Sequence, residues 1–287
     1  MKQSLINSGS EKYFHLPKSD ILECKVELQS IIGKRPTNQD RCCVFACNTH
    51  SVFAILDGHG HPDNYVQALV DFVFERFIQL ISPEIDTTKI TKALKTIDSE
   101  ICCSGVWGKH AGTTFCCIIV TPSHIFSVNT GDSKSVISEY LYVVDGVLVR
   151  RIVSKEHNTH NSTELERVIM RNEPQSGFYH RNSRIYGIEN TTGDQYGINI
   201  TRSVGDSFYK QNKTGSGIYS PESSPLIVLP DISVIQRNPT SQFRIFIASD
   251  GITGFENMDH TTFDNYTLPT TTSDNASVIK LWVPPPQ

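Results

Sequence analysis

The apolar positions of this chain fall in short runs, and two of them lead into an Asp-Gly step. Residues 51–56 (Ser-Val-Phe-Ala-Ile-Leu) lead into Asp57-Gly58-His59-Gly60, and residues 243–248 lead through Ser249 into Asp250-Gly251. A short, nearly continuous apolar run bounded by glycine reads as a buried strand. Residues 26–32 form a further candidate strand, and 44–46 with 51–56 form a hairpin turning at Asn48-Thr49-His50. From Gly112 to Arg151 the pattern is all strand: 113–121, 125–129, 135–139 and 147–153, broken at Pro122-Ser123, Gly131-Asp132 and Asp145-Gly146. Gaps this short demand antiparallel pairing, because a parallel crossover needs a dozen or more residues. Residues 232–235, 243–248 and 277–283 complete the set.

Between these runs the period changes. Pro62 suits the first turn of a helix, and Tyr65, Leu69, Phe72, Val73, Phe77 and Leu80 recur at helical spacing until Pro83. Asp86 is placed to cap a second helix with the stripe Ile90, Ala93, Leu94, Ile97 and Ile101. Asn161 and Glu164 resemble a capping box ahead of Leu165, Val168 and Ile169. Residues 171–199 are polar and rich in Gly and Asn, and read as outside the core. Residues 1–20 read as a flexible or loosely docked arm, 21–283 as a single domain and 284–287 as a tail. Strands outnumber helices, and the helices come in pairs between runs of strands, which points to an α+β layered protein with antiparallel sheets.

Composition narrows the partners. The 287 residues carry a formal net charge of -4 with no basic stripe, which argues against nucleic acid or an anionic membrane as partner. No apolar stretch approaches the ~20 residues that span a bilayer, and no apolar signal core follows Met1-Lys2-Gln3-Ser4. The expectation is a soluble protein of the cytoplasm or nucleus, not a secreted one. No heptad pattern argues against a monomer. Of the 8 cysteines, six lie in the adjacent pairs Cys42-Cys43, Cys102-Cys103 and Cys116-Cys117, and none has zinc spacing. They read as small buried hydrophobes in a reducing compartment.

The candidate chemistry sits at the strand ends. A carboxylate at the end of a buried strand costs several kcal/mol unless something pairs with it. Two of them, Asp57 and Asp250, suggest a shared divalent cation. Gly58 lets a backbone carbonyl approach a metal closely, and His59 can face the same cleft. Asp274-Asn275 precedes the last strand, and Asp40 follows Arg35 just ahead of another. Taken singly, each has an ordinary reading as a turn, a cap or a surface ion pair.

Taken in order they say more. Arg35 through Asp40, Asp57 through Gly60, Gly112-Thr113-Thr114, Gly131-Asp132-Ser133, Thr201 through Asp206, Ser249-Asp250-Gly251 and Asp274-Asn275 closely resemble the motif series of the metal-dependent protein serine/threonine phosphatases of type 2C. The resemblance covers about residues 25–283. It implies a four-layer α-β-β-α sandwich of two antiparallel β-sheets flanked by helices. It implies two Mg²⁺ or Mn²⁺ ions at one edge, activating a water that hydrolyses phosphoserine and phosphothreonine in a phosphorylated protein substrate. Asp57 would bridge the ions, the Gly58 carbonyl would bind one, and Asp250 and Asp274 the other. Asp40 would orient metal-bound water, Arg35 would grip the phosphate, and His59 would protonate the leaving oxygen. Residues 171–199 would be the family's flap.

Three departures qualify the likeness. Gln39 replaces a common Glu and could still hydrogen-bond a metal water. Gly254 stands where a carboxylate helps hold a third metal, leaving Asp132 as its remaining ligand, with Glu256 near enough in sequence to substitute. The segment between Asp250 and Asp274 is short, which implies a trimmed C-terminal helical region. The alternative they raise is a catalytically weak pseudophosphatase acting as a binding or regulatory module. An unrelated metal-dependent hydrolase or nuclease would explain the aspartates but not the motif order.

Overall fold

The adjacent cysteines show how the chain fills two cores at once. Successive side chains of a strand face opposite sides of its sheet. Cys42 and Cys116 therefore point into the core between the sheets, while Cys43 and Cys117 point into the core beneath the helices. The same alternation sends Phe53 and Ile55 inward between the sheets and Val52, Ala54 and Leu56 toward the helices. A strand covered on both faces has no polar side, which is why these runs read as continuous. All eight cysteines are free thiols. Burial raises Cys42 and Cys116 to about 12, so neither is a nucleophile at neutral pH.

The computed structural model describes residues 2–6, 12–15, 24–143, 147–171, 178–188, 195–210 and 224–286. The turn expected at Asp145-Gly146, parts of the arm and flap, and the last residue of the tail lie outside the described residues. In chain order the strands begin β1 (Lys2–Ile6), β2 (Lys12–His15), β3 (Lys25–Ile31), β4 (Asp40–Ala46), β5 (Ser51–His59), β6 (Gly112–Thr113), β7 (Phe115–Val120), β8 (His124–Thr130) and β9 (Lys134–Leu141). They continue with β10 (Leu148–Val153), β11 (Phe178–Arg181), β12 (Arg184–Ile188), β13 (Gln195–Ile198), β14 (Val204–Gly205), β15 (Asp231–Gln236), β16 (Ser241–Ala248) and β17 (Ala276–Val283). The helices are α1 (Asp63–Ile81), α2 (Thr87–Ser104), α3 (Ser162–Arg171), α4 (Ser207–Lys210) and α5 (His260–Asn265).

The first sheet runs β1-β4-β5-β7-β8-β15, with β6 on the end of β5 and β14 on β6. The second runs β10-β9-β16-β17-β3-β2. The pairings between these strands are antiparallel, as the short gaps require. Helices α1 and α2 cover the outer face of the first sheet. The stripe expected on α2 is buried throughout, and Asp86 caps it by accepting a hydrogen bond from the Lys89 amide at 2.7 Å. On α1 the buried face is Val66, Leu69, Val70, Val73, Phe74, Phe77, Ile78 and Ile81. It is rotated from the expected stripe, and Tyr65 is exposed. The outer face of the second sheet is covered by residues 252–268, where Ile252, Phe255 and Phe263 pack on Val136, Phe246, Ala248 and Val278. Among the described residues the only helix in that layer is the six-residue α5. The result is the expected α+β four-layer sandwich with a trimmed fourth layer. Among the described residues no helix is long and apolar enough to cross a membrane.

Two segments differ from the sequence reading. Where a flexible or loosely docked arm was expected, β1 pairs with β4 and β2 with β3, extending an edge of each sheet. An edge offers unpaired backbone groups, so a strand can add there without an apolar pattern of its own. Residues 171–199 were expected to lie outside the core, yet β11, β12 and β13 form a small sheet. Its Phe178 and Ile185 are buried with Val168, Phe208, Tyr209 and Leu226. Alternate positions on one face suffice to build such a satellite core.

Candidate functional site

Strand β5 does not stop at Leu56; it continues through Asp57 and Gly58 to His59, which pair with β6. Across the sheet, Asp57 stands directly opposite Asp40 on β4. Like charges opposite one another repel, so the register alone creates a demand for positive charge. Asp40 is fully buried, and its Oδ2 accepts a hydrogen bond from Ser249 Oγ at 2.8 Å. Its Oδ1 is buried with no hydrogen-bond partner among the described residues.

The second sheet delivers the next carboxylates to the same edge. The Ser249 amide donates to the Ser277 carbonyl at 3.1 Å, and the Ser277 amide donates to Ser249 Oγ at 3.0 Å, which locks the end of β16 to the start of β17. A Cβ on Gly251 would lie 2.1 Å from the Asn275 carbonyl oxygen, so glycine alone lets the Asp250 turn lie against Asp274-Asn275. Asp250 lies near enough to the Asp57 carboxyl for the two to interact electrostatically. Asp274 accepts from the Asn275 amide through Oδ1 at 2.8 Å and from Arg35 Nη2 through Oδ2 at 2.5 Å.

The electrostatics record this crowding. Burial pushes the Asp40 carboxyl up to about 6, against the hydrogen bond from Ser249. Asp57 is raised well above the carboxylate range by burial and then by Asp40 and Asp250. Asp250 keeps solvent contact, but the protein packed around its carboxyl, followed by Asp274, raises it as well. Asp132 is buried nearby, and burial followed by Asp250 lifts it to about 7.

The threonines of Gly112-Thr113-Thr114 hold Asp57 by its backbone. The Asp57 amide donates to Thr114 Oγ1 at 3.0 Å, and its carbonyl accepts from the Thr114 amide at 2.9 Å and Thr113 Oγ1 at 3.1 Å. Ser133 braces the Thr114 hydroxyl at 2.8 Å, which gives Gly131-Asp132-Ser133 a structural purpose. Sequence reasoning quoted these motifs without assigning the hydroxyls a task. A second omission is Asp206. Its Oδ2 lies 2.8 Å from His59 Nε2, and a Cβ on Gly112 would fall 2.2 Å from that same oxygen. Burial alone would keep His59 neutral, but Asp206 outweighs it and raises the imidazole pKa. The only signal was the Gly205-Asp206 step, which names no partner 147 positions away.

Three side chains singled out in the sequence make contacts with neighbouring protein groups. Gln39 Nε2 donates to Asp63 Oδ1 at 2.9 Å and to the Gly60 carbonyl at 3.2 Å. Glu256 Oε1 accepts from Lys134 Nζ at 2.5 Å. The capping box at Asn161 is half made: Asn161 Oδ1 accepts from the Thr163 and Glu164 amides. The Glu164 carboxylate goes instead to Arg202, Arg167 and Thr201.

That network makes a prediction. Burial of Glu164 is overcome by Arg202 and then Arg167, which take its carboxyl from the ordinary 4.5 down to about 2. A depressed carboxyl contributes stability above its unfolded pKa and loses it as pH falls through the folded one. Glu164→Gln is therefore expected to cost about 2–3 kcal/mol of unfolding free energy at pH 7. The gap to the parent should narrow between pH 4.5 and 2 in urea titrations. A gap that stays constant across that range would refute the assignment.

Among the described residues no three His, Cys, Asp or Glu side chains close into a ready-made metal cage. The donor set nevertheless fits hard divalent cations. Asp57, the Gly58 carbonyl, Asp250 and Asp274 offer oxygen only, which suits Mg²⁺ and Mn²⁺. The orphaned Asp40 Oδ1 and the mutual repulsion of Asp40, Asp57 and Asp250 are both relieved by positive charge and water placed between them.

Comparison with known proteins agrees with this geometry. The family model described as Protein phosphatase 2C matches residues 48–260. Protein phosphatase 1G of Homo sapiens is 30% identical over 145 residues, covering 50% of this chain and 22% of that protein. Probable protein phosphatase 2C 21 of Oryza sativa subsp. japonica is 23% identical over 238 residues, covering 71% of this chain and 61% of that one. The chain thus spans less than two thirds of the length of these curated relatives. The crystal structure of serine-threonine phosphatase 2C from Toxoplasma gondii superposes with a TM-score of 0.68 at 13% identity, covering 98% of this chain and 99% of that one. The Mycobacterium tuberculosis phosphatase PstP/Ppp gives a TM-score of 0.54 at 16% identity, covering 91% and 99%. At such identities the structural likeness is one of fold. With the family model matched over most of its length, this chain belongs to the protein phosphatase 2C family.

Proposed function

We propose that this chain hydrolyses phosphoserine and phosphothreonine in proteins with the help of two Mg²⁺ or Mn²⁺ ions, acting as a monomer in the cytoplasm or nucleus. One observation carries the reading. Carboxylates from the strand ends of two different sheets, Asp57 and Asp250, meet at one edge of the sandwich, with Asp274 and Arg35 alongside.

In this reading Asp57, the Gly58 carbonyl, Asp250 and Asp274 hold the ions, which supply Lewis-acid polarisation and an acidified water. The rest is done by the chain itself. Arg35 presents a planar fork of N–H donors to phosphate oxygens, which fixes the phosphoryl group in one orientation. His59, held by Asp206, donates a proton to the departing serine or threonine oxygen. Asp40, fixed through Oδ2 by Ser249, keeps Oδ1 free to accept a hydrogen bond from water at the reaction centre. The buried thiols take no part.

The test is hydrolysis of an aryl phosphate by purified protein. Turnover should require added Mn²⁺ and vanish with a chelator. Activity indifferent to the chelator would remove the proposal.

A further inference from the structure

The two side chains that the proposed function needs separately are bound to each other. Arg35 is the phosphate ligand in that reading and Asp274 a metal ligand, yet Arg35 Nη2 sits 2.5 Å from Asp274 Oδ2. Asp274 Oδ1 also accepts from the Asn275 amide, so each of its oxygens already has one partner. A cation binding through Oδ2 must compete with the guanidinium, and a phosphate drawing on Arg35 must compete with the carboxylate.

The surrounding backbone is sewn together, so the exchange is confined to side chains. The Lys34 amide donates to the Thr272 carbonyl at 3.0 Å. Asn275 Nδ2 donates to the Ile32 and Thr37 carbonyls, each at 2.9 Å, and Asn275 Oδ1 accepts from the Gln39 amide at 2.9 Å. These bonds fix the Arg35 loop against the Asp274 loop without involving either charged group. The pair itself is accessible, with the Arg35 side chain 56% and the Asp274 side chain 34% exposed. An ion pair open to water is weak enough for a ligand to displace.

The geometry points to a latch. Arg35 and Asp274 hold each other until one of them is claimed by a ligand, so a cation at Asp274 frees Arg35 for phosphate and an anion at Arg35 frees Asp274 for the cation. The coupling is reciprocal, as any linkage between two binding events must be. The inference rests on the metal reading proposed above and adds that the phosphate-binding and cation-binding side chains compete for each other. The latch thereby restrains Arg35 from gripping phosphate before the catalytic ions are in place.

The experiment is calorimetric titration of the full chain with Mn²⁺ alone, with no phosphate and no turnover. Arg35→Ala removes the latch and is expected to bind Mn²⁺ about fivefold more tightly than the parent. Lys34→Ala removes a neighbouring positive charge that makes no such pair, and should stay within about twofold of the parent. Tighter binding in Arg35→Ala but not in Lys34→Ala supports the latch. Equal affinity in all three proteins, or the same gain in both variants, overturns it while leaving the metal reading intact. Failure of the parent and both variants to bind Mn²⁺ overturns the metal reading and the latch together.

Discussion

Asp57→Asn is expected to lower phosphatase turnover by about 10³-fold or more, the equivalent of several kcal/mol of transition-state stabilisation. The substitution keeps the shape of the side chain and removes its charge. Asp57 faces Asp40 across the β4–β5 pair and feels the charge of Asp250 at the end of β16. In the proposed reading Asp57 would be one of the groups that hold the ions, so Mn²⁺ binding should fail together with turnover. The fold should not suffer. The Thr113 and Thr114 bonds go to the Asp57 backbone and survive the change. The repulsion from Asp40 and Asp250 is relieved, so the urea midpoint should hold or rise. His59→Gln separates binding from proton transfer: it should cost about 10²-fold in turnover and leave Mn²⁺ affinity near that of the parent. Asp57→Asn turnover within tenfold of the parent would end the metal-assisted reading.

The carboxylates that matter most were visible in the sequence because they violate a local pattern. A charge at the end of a mostly apolar run must be accounted for, and Asp57 and Asp250 both sit there. The strands were legible for the related reason that side chains such as Cys42 and Cys43 are buried on both faces of a sheet. What stayed hidden has no local signature. The pairing of Gly58 and His59 with a two-residue strand depends on a partner more than fifty positions away. Asp206 reaches His59 only because Gly112 leaves its carboxylate room.

Other misreadings came from patterns with two solutions. Glu164 lies at capping-box spacing from Asn161, and the local geometry honours the Asn161 half. Its carboxylate has a stronger option in Arg202 and Arg167, so the tertiary ion pair wins over the local cap. Residues 171–199 are polar on average, but a three-stranded sheet needs apolar positions on only one face, and Phe178 and Ile185 supply them.

Lys210→Met is expected to destabilise the protein by about 3–5 kcal/mol, the range for breaking a buried ion pair from one side. Lys210 on α4 and Asp98 on α2 are both completely buried, with Nζ 2.7 Å from Asp98 Oδ1. The ammonium also donates to the Ser203 carbonyl at 2.7 Å, and Asp98 Oδ1 accepts from the Gly205 amide at 2.8 Å. The pair therefore clamps the turn that carries Asp206 against the second helix. Methionine fills similar volume but takes the ammonium away from a fully buried carboxylate, and that loss of charge pairing accounts for most of the deficit. If so, Asp98→Asn added to Lys210→Met should recover about half of the deficit, because a neutral amide can still accept from the Gly205 amide. Urea denaturation of the two single variants and the double variant closes the cycle. A double variant as unstable as the sum of the singles would mean that the two side chains act independently. In the folded fraction of Lys210→Met, turnover should also fall, because a loosened Ser203–Gly205 turn no longer holds Asp206 against His59.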